Sequence, residues 1–424
     1  MFICTTCGYG SVSWIGRCPD CNQWNTFKET NENSASDSKL VKEITLTQFS
    51  KVKPLTKNRT KTGFFEFDRV LGEGFVAGEV ILLTGEPGVG KSTMLLQVLS
   101  NLKILYISGE ESAEQIKERA ERLKIRLNDL YFSNDLQIEG IVKTLETSKI
   151  QFDALVVDSI QTIYSKDINS APGNISQLKE TMAKLIFLAK KKKLTVFVIG
   201  HITKEGEAAG PKTLEHLVDC VLSFEGEKIS NFRLLRASKN RFGPTDEVGI
   251  FEMKPHGLAE VSNPLIFLND KNDASPGKAI IAVTEGKRTL FFEIQTLAVP
   301  SFLPIPRRVV HGLDYNKVLL LIAVIKRHIG LSLDKYDIYV NIIGGMEVKS
   351  PAADLGFVVS LISSVRNIAI ADNSLFIGEV GLLGELRKTA AEEKIVKEAK
   401  RLGFKKIYSS MNTDNIKLLK NSLF

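Results

Sequence analysis

One octapeptide constrains this chain more than anything else in it. Residues 85–92 read Gly-Glu-Pro-Gly-Val-Gly-Lys-Ser. The spacing Gly85-x4-Gly90-Lys91-Ser92 lets glycine backbone turn its N–H groups inward onto phosphate oxygens. Lys91 then reaches the β- and γ-phosphates, and Ser92 gives a hydroxyl oxygen to Mg²⁺. Gly85, Glu86, Pro87, Gly88, Val89, Gly90, Lys91, Ser92 and the following Thr93 are therefore expected to bind a nucleoside triphosphate. The context fits, because an apolar strand, Val80–Thr84, leads in and a helix follows.

The surrounding sequence alternates strand and helix from about 51 to 265. Lys103–Ser108, Ala154–Asp158 and Thr195–Gly200 are short apolar runs of the kind buried on both faces of a parallel sheet. Ser112-Ala-Glu-Gln115 resembles a capping box that opens a helix to Leu123. Ile175, Leu178, Met182, Leu185, Ile186 and Ala189 recur at helical spacing. The lysines 190–193 then read as that helix's solvated C-terminal end, where the dipole favours cations.

In this layout Asp158 ends a strand beside the phosphate loop and can hold Mg²⁺ through water. Hydrolysis needs a group to orient or deprotonate water. Glu110 and Glu111 follow a neighbouring strand, and either can serve, with Glu110 preferred. His201 ends the strand after Thr195. It can hydrogen-bond a γ-phosphate, although a lone His is more often a structural residue than a sensor.

Four of the five cysteines lie in the first 21 residues. Cys4-x2-Cys7 and Cys18-x2-Cys21 have the spacing of a closed tetrahedral Zn²⁺ site, with no position left for catalysis. Metal binding would supply much of the folding energy of so short a segment. Trp14 and Trp24, the only tryptophans, lie within it and can pack on the knuckles or stack on bases or a partner. Residues 28–50 read as a linker, and a second boundary falls near 264–278. From 275 to 424 another α/β unit is expected. It has paired strands Ile280–Thr284 and Thr289–Ala298 around Glu285-Gly286-Lys287, and helices over 316–328, 352–366 and 390–402. The longest apolar run, Val318–Ile325, is too short for a membrane span of about 20 residues. No signal peptide is visible at the start, so a cytoplasmic protein with no membrane partner is expected. The formal charge of +7 suits nucleic acid without requiring it.

Together these pieces resemble the bacterial RadA (Sms) family. The resemblance rests on Cys4-x2-Cys7-Gly8-Tyr9, Trp14-x-Gly16-Arg17-Cys18-Pro19-x-Cys21-x2-Trp24, the phosphate loop, Tyr106–Ser112, Val156–Gln161 and Lys239-Asn240-Arg241-Phe242-Gly243. It implies an N-terminal four-Cys zinc finger (1–27), a RecA-like P-loop ATPase core (51–265) and a C-terminal Lon protease-like α/β domain (275–424). It also implies ATP, Mg²⁺ and structural Zn²⁺ as cofactors. The expected activity is that of a DNA-dependent, ring-forming ATPase, a homohexamer. It would bind single-stranded DNA, drive branch migration of branched recombination intermediates and work with a recombinase.

By the same resemblance Glu110 is the base and His201 the γ-phosphate sensor. Lys239 and Arg241 would reach a neighbouring subunit's nucleotide or DNA phosphate. The loops Tyr164–Asn174 and Thr203–Thr213, carrying Lys166, Lys204 and Lys212, would face DNA. In the Lon-like unit Ala352 stands where a nucleophilic Ser should follow Pro351, and Ser350 lies on the wrong side of that proline. Glu393, with Lys394 adjacent, takes the place of the dyad Lys. A non-proteolytic domain is expected, with Arg307, Arg308 and Lys349 as candidate phosphate contacts.

Overall fold

The computed structural model describes residues 2–29, 48, 50, 59–201, 212–226, 231–268, 274–371 and 373–423. Most of the expected linker lies outside these residues, as do residues 203–211 of the second loop, including Lys204. Contacts divide the chain into two compact units. The first gathers Met1–Glu225, Leu235–Thr245 and Lys254–Leu258; the second gathers Gly226–Leu234, Asp246–Met253 and Ala259–Phe424.

At the N-terminus β1 (Phe2–Cys4), β2 (Gly10–Ser11) and β3 (Phe27–Glu29) form an antiparallel sheet in the order β2-β1-β3. Its buried apolar core is Cys4, Cys7, Cys18 and Phe27. So small a core cannot offset the entropy of ordering the segment.

The nucleotide-binding core begins with α1 (Phe65–Leu71), β4 (Val80–Gly85), α2 (Lys91–Val98), β5 (Ile104–Ser108) and α3 (Ala113–Arg122). It continues through β6 (Leu130–Ser133), α4 (Ile138–Thr147), β7 (Ala154–Asp158), α5 (Ile175–Lys192), β8 (Thr195–His201), α6 (Lys212–Glu215), β9 (Cys220–Glu225) and β10 (Phe232–Asn240). The six strands β9-β4-β8-β7-β5-β6 lie side by side and pair in parallel. Every residue of β4, β5 and β7 is buried, as uninterrupted apolar runs require when helices cover both faces. Crossover helices put all the strand C-termini at one end, and that end carries the phosphate loop. This is the RecA-like P-loop fold.

The Ser112 capping box forms as expected, with Gln115 N–H on the Ser112 side chain and α3 closing at Leu123. The lysines at the end of α5 are exposed, as expected, and two of them also make ion pairs. Lys190 pairs with Asp219 at 2.5 Å and Lys191 with Glu146 at 2.6 Å. β10 runs to Asn240, so Lys239 and Asn240 are strand residues.

Glu79 is buried just ahead of β4, where its Oε2 accepts the Val76 N–H at 2.8 Å. Burial pushes its carboxyl up to about 7; the Val76 N–H opposes that and the Asp219 charge adds to it. A carboxyl raised in the folded state stabilises the fold most below its unfolded value near 4.5. That contribution is lost as pH rises through about 7. Between pH 5 and 8 it amounts to about 2–3 kcal/mol. Denaturant unfolding across that range should therefore show a loss of stability that Glu79→Gln removes, and identical pH slopes would contradict it.

Of the next strands, β11 (Val248–Lys254) falls mostly in the second unit and β12 (Gly257–Glu260) is divided between the two. The second unit continues with β13 (Lys278–Glu285), β14 (Arg288–Pro300), β15 (Arg308–His311), α7 (Tyr315–Ile329) and β16 (Tyr336–Ile342). A single 3-10 turn, Pro351–Ala353, leads into α8 (Asp354–Arg366). Then follow β17 (Ser374–Phe376), β18 (Glu379–Val380), β19 (Leu386–Arg387), α9 (Glu392–Arg401), β20 (Lys406–Tyr408) and α10 (Ile416–Leu423). The sheet order is β15-β16-β14-β13-β17-β20, and the expected hairpin closes at Glu285↔Arg288 across Gly286-Lys287. α8 packs on β13 through Gly356, where a Cβ would lie 2.0 Å from Ile281 Cγ2. This is the Lon protease-like α/β domain.

Candidate active site

The loop after β4 is shaped by its glycines. Gly85, Gly88 and Gly90 have φ of 156°, 79° and 110°, a region L side chains rarely adopt. A Cβ on Gly85 would come within 2.3 Å of the Phe224 carbonyl oxygen. The Lys91 ammonium is folded back onto the loop, donating to the Gly85 and Glu86 carbonyls at 2.9 and 3.0 Å. Burial lowers its pKa, and the carboxylates of Asp158 and Glu110 oppose that shift.

Asp158 is set opposite by the register of β7 against β5, in which Ser108 faces Asp158. Its Oδ2 accepts the Tyr106 hydroxyl at 2.5 Å. Its Oδ1 is buried and has no hydrogen-bond partner. Burial raises its carboxyl above the ordinary range, while hydrogen bonds from Tyr106 and Ser92 hold it down. A buried carboxylate oxygen without a partner, beside the Ser92 hydroxyl, is the donor set a hard cation requires. The residues thus fit Mg²⁺.

Glu110 and Glu111 diverge. Arg119 on α3 holds both oxygens of Glu111 at 2.5 Å. Glu110 turns into the site, and one oxygen each from Glu110 and Asp158 and one ring nitrogen of His201 lie within 4.8 Å of one another. Glu110 Oε1 is 3.0 Å from His201 Nε2 and accepts the Ser159 hydroxyl at 2.5 Å. His201 Nδ1 and Gln161 Oε1 are buried without partners, and Gln161 Nε2 is 3.5 Å from the His201 carbonyl. Lys91, Glu110, Asp158 and His201 thus converge on one space.

Tyr106, Ser159 and Gln161 belong to the motifs quoted above, yet sequence reasoning gave them no role. Tyr106 carried a signal. A hydroxyl in an otherwise buried aliphatic strand must find a partner, and here it is Asp158. Ser159 and Gln161 carried none, since their partners are set by strand register.

Lys239 and Arg241 are not brought to this site. The Arg241 N–H donates to the Asp219 carbonyl, and the Asp219 N–H donates to the Val80 carbonyl. Val80 opens β4, while the phosphate loop follows Gly85 at its far end, about 17 Å along the strand. Lys239 Nζ donates to the carbonyls of Glu215 and His216 at 2.9 and 3.2 Å. Arg241 stands 3.4 Å from the Asp219 carboxylate with its side chain 57% exposed. The motif also clamps α1. Asn240 lies 3.4 Å from the Val70 and Leu71 carbonyls, and Arg59 donates to the Phe242 carbonyl.

The loop Tyr164–Asn174 is anchored by α5. Gln177 accepts the Ser165 N–H at 2.7 Å and donates to the carbonyls of Ser165, Ile168 and Ser170. Lys184 pairs with Glu139 at 2.6 Å and Asp167 at 2.7 Å. Lys166 is left exposed.

At the N-terminus the four cysteines are free thiols with their sulfurs within 4.8 Å of one another. Cys4 and Cys21 are 3.7 Å apart, and Cys7 and Cys18 are 3.4 Å apart. Burial raises the Cys7 and Cys21 thiols. Burial acts the same way on Cys4, but hydrogen bonds from Thr26 and the Cys7 and Thr6 backbone bring it down to about 6. Four converging sulfurs without disulfides fit a tetrahedral Zn²⁺. Trp14 and Trp24 stay 53% and 67% exposed, so the knuckles do not bury them.

In the Lon-like unit Ala352 is buried, and the Ser350 hydroxyl accepts the Ala352 N–H at 3.3 Å. Glu393 pairs with Lys388 at 2.7 Å, and Lys394 donates to the Lys287 carbonyl. A cavity of about 240 Å³ beside Ser350 holds a Lys317–Asp354 ion pair at 2.9 Å. Arg308 donates to the carbonyls of Arg307, Tyr336 and Leu333, which ties its guanidinium to the fold. Lys349 is exposed and 3.2 Å from Glu347.

Comparison with known proteins matches residues 60–152 to the ATPase family described as KaiC, and residues 2–29 to the rubredoxin metal binding domain. Among curated relatives, the Bacillus subtilis (strain 168) protein named DNA repair protein RadA is 45% identical over 419 residues, covering 96% of this chain and 91% of that protein. The Listeria monocytogenes (serovar 1/2a) protein of the same name is 44% identical over 423 residues, covering 97% and 92%. Among solved structures a RadB recombinase is 25% identical, covering 47% of this chain and 99% of that one, with a TM-score of 0.39. No described helix is long and apolar enough to cross a membrane.

Proposed function

The chain belongs to the RadA family of DNA repair proteins, and from that premise we propose that it is a single-stranded-DNA-dependent ATPase that drives branch migration of recombination intermediates. The observation that carries the proposal is the convergence of Lys91, Glu110, Asp158 and His201 at the C-terminal end of the parallel sheet, as an ATP-hydrolysing site requires. The loop N–H groups from Gly85 to Thr93 would cradle the phosphates, and Lys91 would exchange its two loop carbonyls for phosphate oxygens. Ser92 and Asp158 would hold Mg²⁺, which when bound neutralises charge on the phosphate oxygens. Tyr106 fixes Asp158. The Glu110 carboxylate takes a proton from the attacking water, and His201 hydrogen-bonds the γ-phosphate.

Completion by a neighbouring subunit belongs to the same proposal, in a homohexameric ring. Arg241, exposed and just past the end of β10, remote from its own phosphate loop, suits a role in trans better than Lys239, whose ammonium is occupied. Lys166, on a loop braced by Gln177 and Lys184, suits a DNA phosphate. A recombinase would deliver the branched substrate. Cys4, Cys7, Cys18 and Cys21 would hold Zn²⁺. The Lon-like domain is proposed to be non-proteolytic, because Ser350 serves as a turn cap and Glu393 and Lys394 are engaged elsewhere. No cleavage of casein is expected.

The direct test is extension of a three-stranded recombination intermediate by purified protein with ATP. Extension that needs hydrolysable ATP supports the proposal. Extension that is equal with a non-hydrolysable analogue, or absent with active ATPase, contradicts it. Arg241→Ala should reduce DNA-stimulated hydrolysis at least about tenfold while single-chain ATP binding is retained, as read by a fluorescent ATP analogue. An unchanged stimulated rate removes Arg241 from coupling.

A further inference from the structure

Two donors converge on a single oxygen of Glu110. The Ser159 hydroxyl is 2.5 Å from Oε1, and His201 Nε2 is 3.0 Å from the same atom. Ser159 is fully buried, and it directly follows Asp158. The residue beside the Mg²⁺-side carboxylate therefore grips the carboxylate proposed to activate water. We infer that Ser159 is the positioning residue for Glu110, acting as a fixed holder where His201 is a releasable one. The inference rests on the assignment of Glu110 as base.

The chemistry separates the two donors. Each hydrogen bond into a carboxylate stabilises its charge. Two donors on one oxygen hold Glu110 in place. His201 can release its share, since its Nδ1 is buried without a partner and one of its ring nitrogens lies within 4.8 Å of an Asp158 oxygen. When His201 turns to a phosphate, Glu110 loses one of its two donors. The Ser159 hydroxyl then becomes the only described side-chain donor that still fixes the carboxylate. A buried side chain at the end of a central strand, with its rotamer confined by packing, can hold that oxygen without reorganising.

The test is a cycle of Ser159→Ala and Glu110→Gln in the full chain, with steady-state ATP hydrolysis and binding of a fluorescent ATP analogue measured for each. Ser159→Ala should lower kcat about 10- to 100-fold, the size of a lost hydrogen bond to a charged group, with KM and analogue affinity within about twofold. In the Glu110→Gln background the same change should cost less than about twofold. Ser159→Thr, which keeps the hydroxyl, should recover most of the rate. Equal losses in both backgrounds, an unchanged kcat, or lost analogue binding in Ser159→Ala would each overturn the inference. A Glu110→Gln variant with full activity would instead overturn the base assignment, a distinguishable result.

Discussion

Glu110→Gln should reduce ATP hydrolysis on the order of 10² to 10⁴-fold, the usual range for a lost general base, while a fluorescent ATP analogue still binds. Glu111→Gln should stay within about threefold, the scale of a change away from the reacting atoms. The two acids are adjacent and chemically equal, so the contrast is a test of geometry alone. Arg119 on α3 takes both oxygens of Glu111, whereas Glu110 faces Asp158 and His201. Glutamine keeps the shape of Glu110 and can still accept from Ser159, so loss of rate with retained binding would isolate proton transfer. The reverse pattern, with Glu111→Gln inactive and Glu110→Gln active, would show the assignment to be wrong.

Removal of metal from the N-terminal module should unfold it. Residues 2–29 bury almost nothing but Cys4, Cys7, Cys18 and Phe27, and structural Zn²⁺ contributes about 10–16 kcal/mol to such modules. The chain has two tryptophans, Trp14 and Trp24, both in this module, so intrinsic tryptophan emission reports on it alone. Chelation, or Cys18→Ser, should shift that emission and remove about one zinc per chain. The melting of the nucleotide-binding core should change little, because its own large core does not depend on the metal. An unchanged emission spectrum after complete loss of zinc would contradict this account.

What could be read from the sequence was local. β4, β5, β7 and β8 announce themselves because strands buried on both faces must be continuously apolar. The phosphate loop and the cysteine knuckles do so because their chemistry fixes residue spacing. β6 was missed: Leu130–Ser133 is a four-residue edge strand, half-buried throughout, and so lacks either period. Nothing in Lys239 and Asn240 themselves marks them as the end of β10. They stay in the strand through hydrogen bonds to carbonyls more than 20 and more than 160 residues away. The same limit applied to the site. Glu110 and Asp158 were legible as acids at strand ends. The partners that set their roles, Arg119, Tyr106 and Ser159, depend on helix phase and strand register, which no local window contains. In the Lon-like unit Ala352 could be read directly after Pro351, but Arg308 was not legible as a structural residue, because two of the carbonyls it binds, those of Leu333 and Tyr336, lie more than 20 residues away.

Whether this phosphate loop powers work on DNA is decided by steady-state ATP hydrolysis by the zinc-replete protein, with and without single-stranded DNA, beside Lys91→Ala. The rate should rise at least severalfold with single-stranded DNA and disappear in Lys91→Ala in both conditions. A wild-type rate indifferent to DNA, or a Lys91→Ala protein that hydrolyses ATP normally, would show that the loop does not.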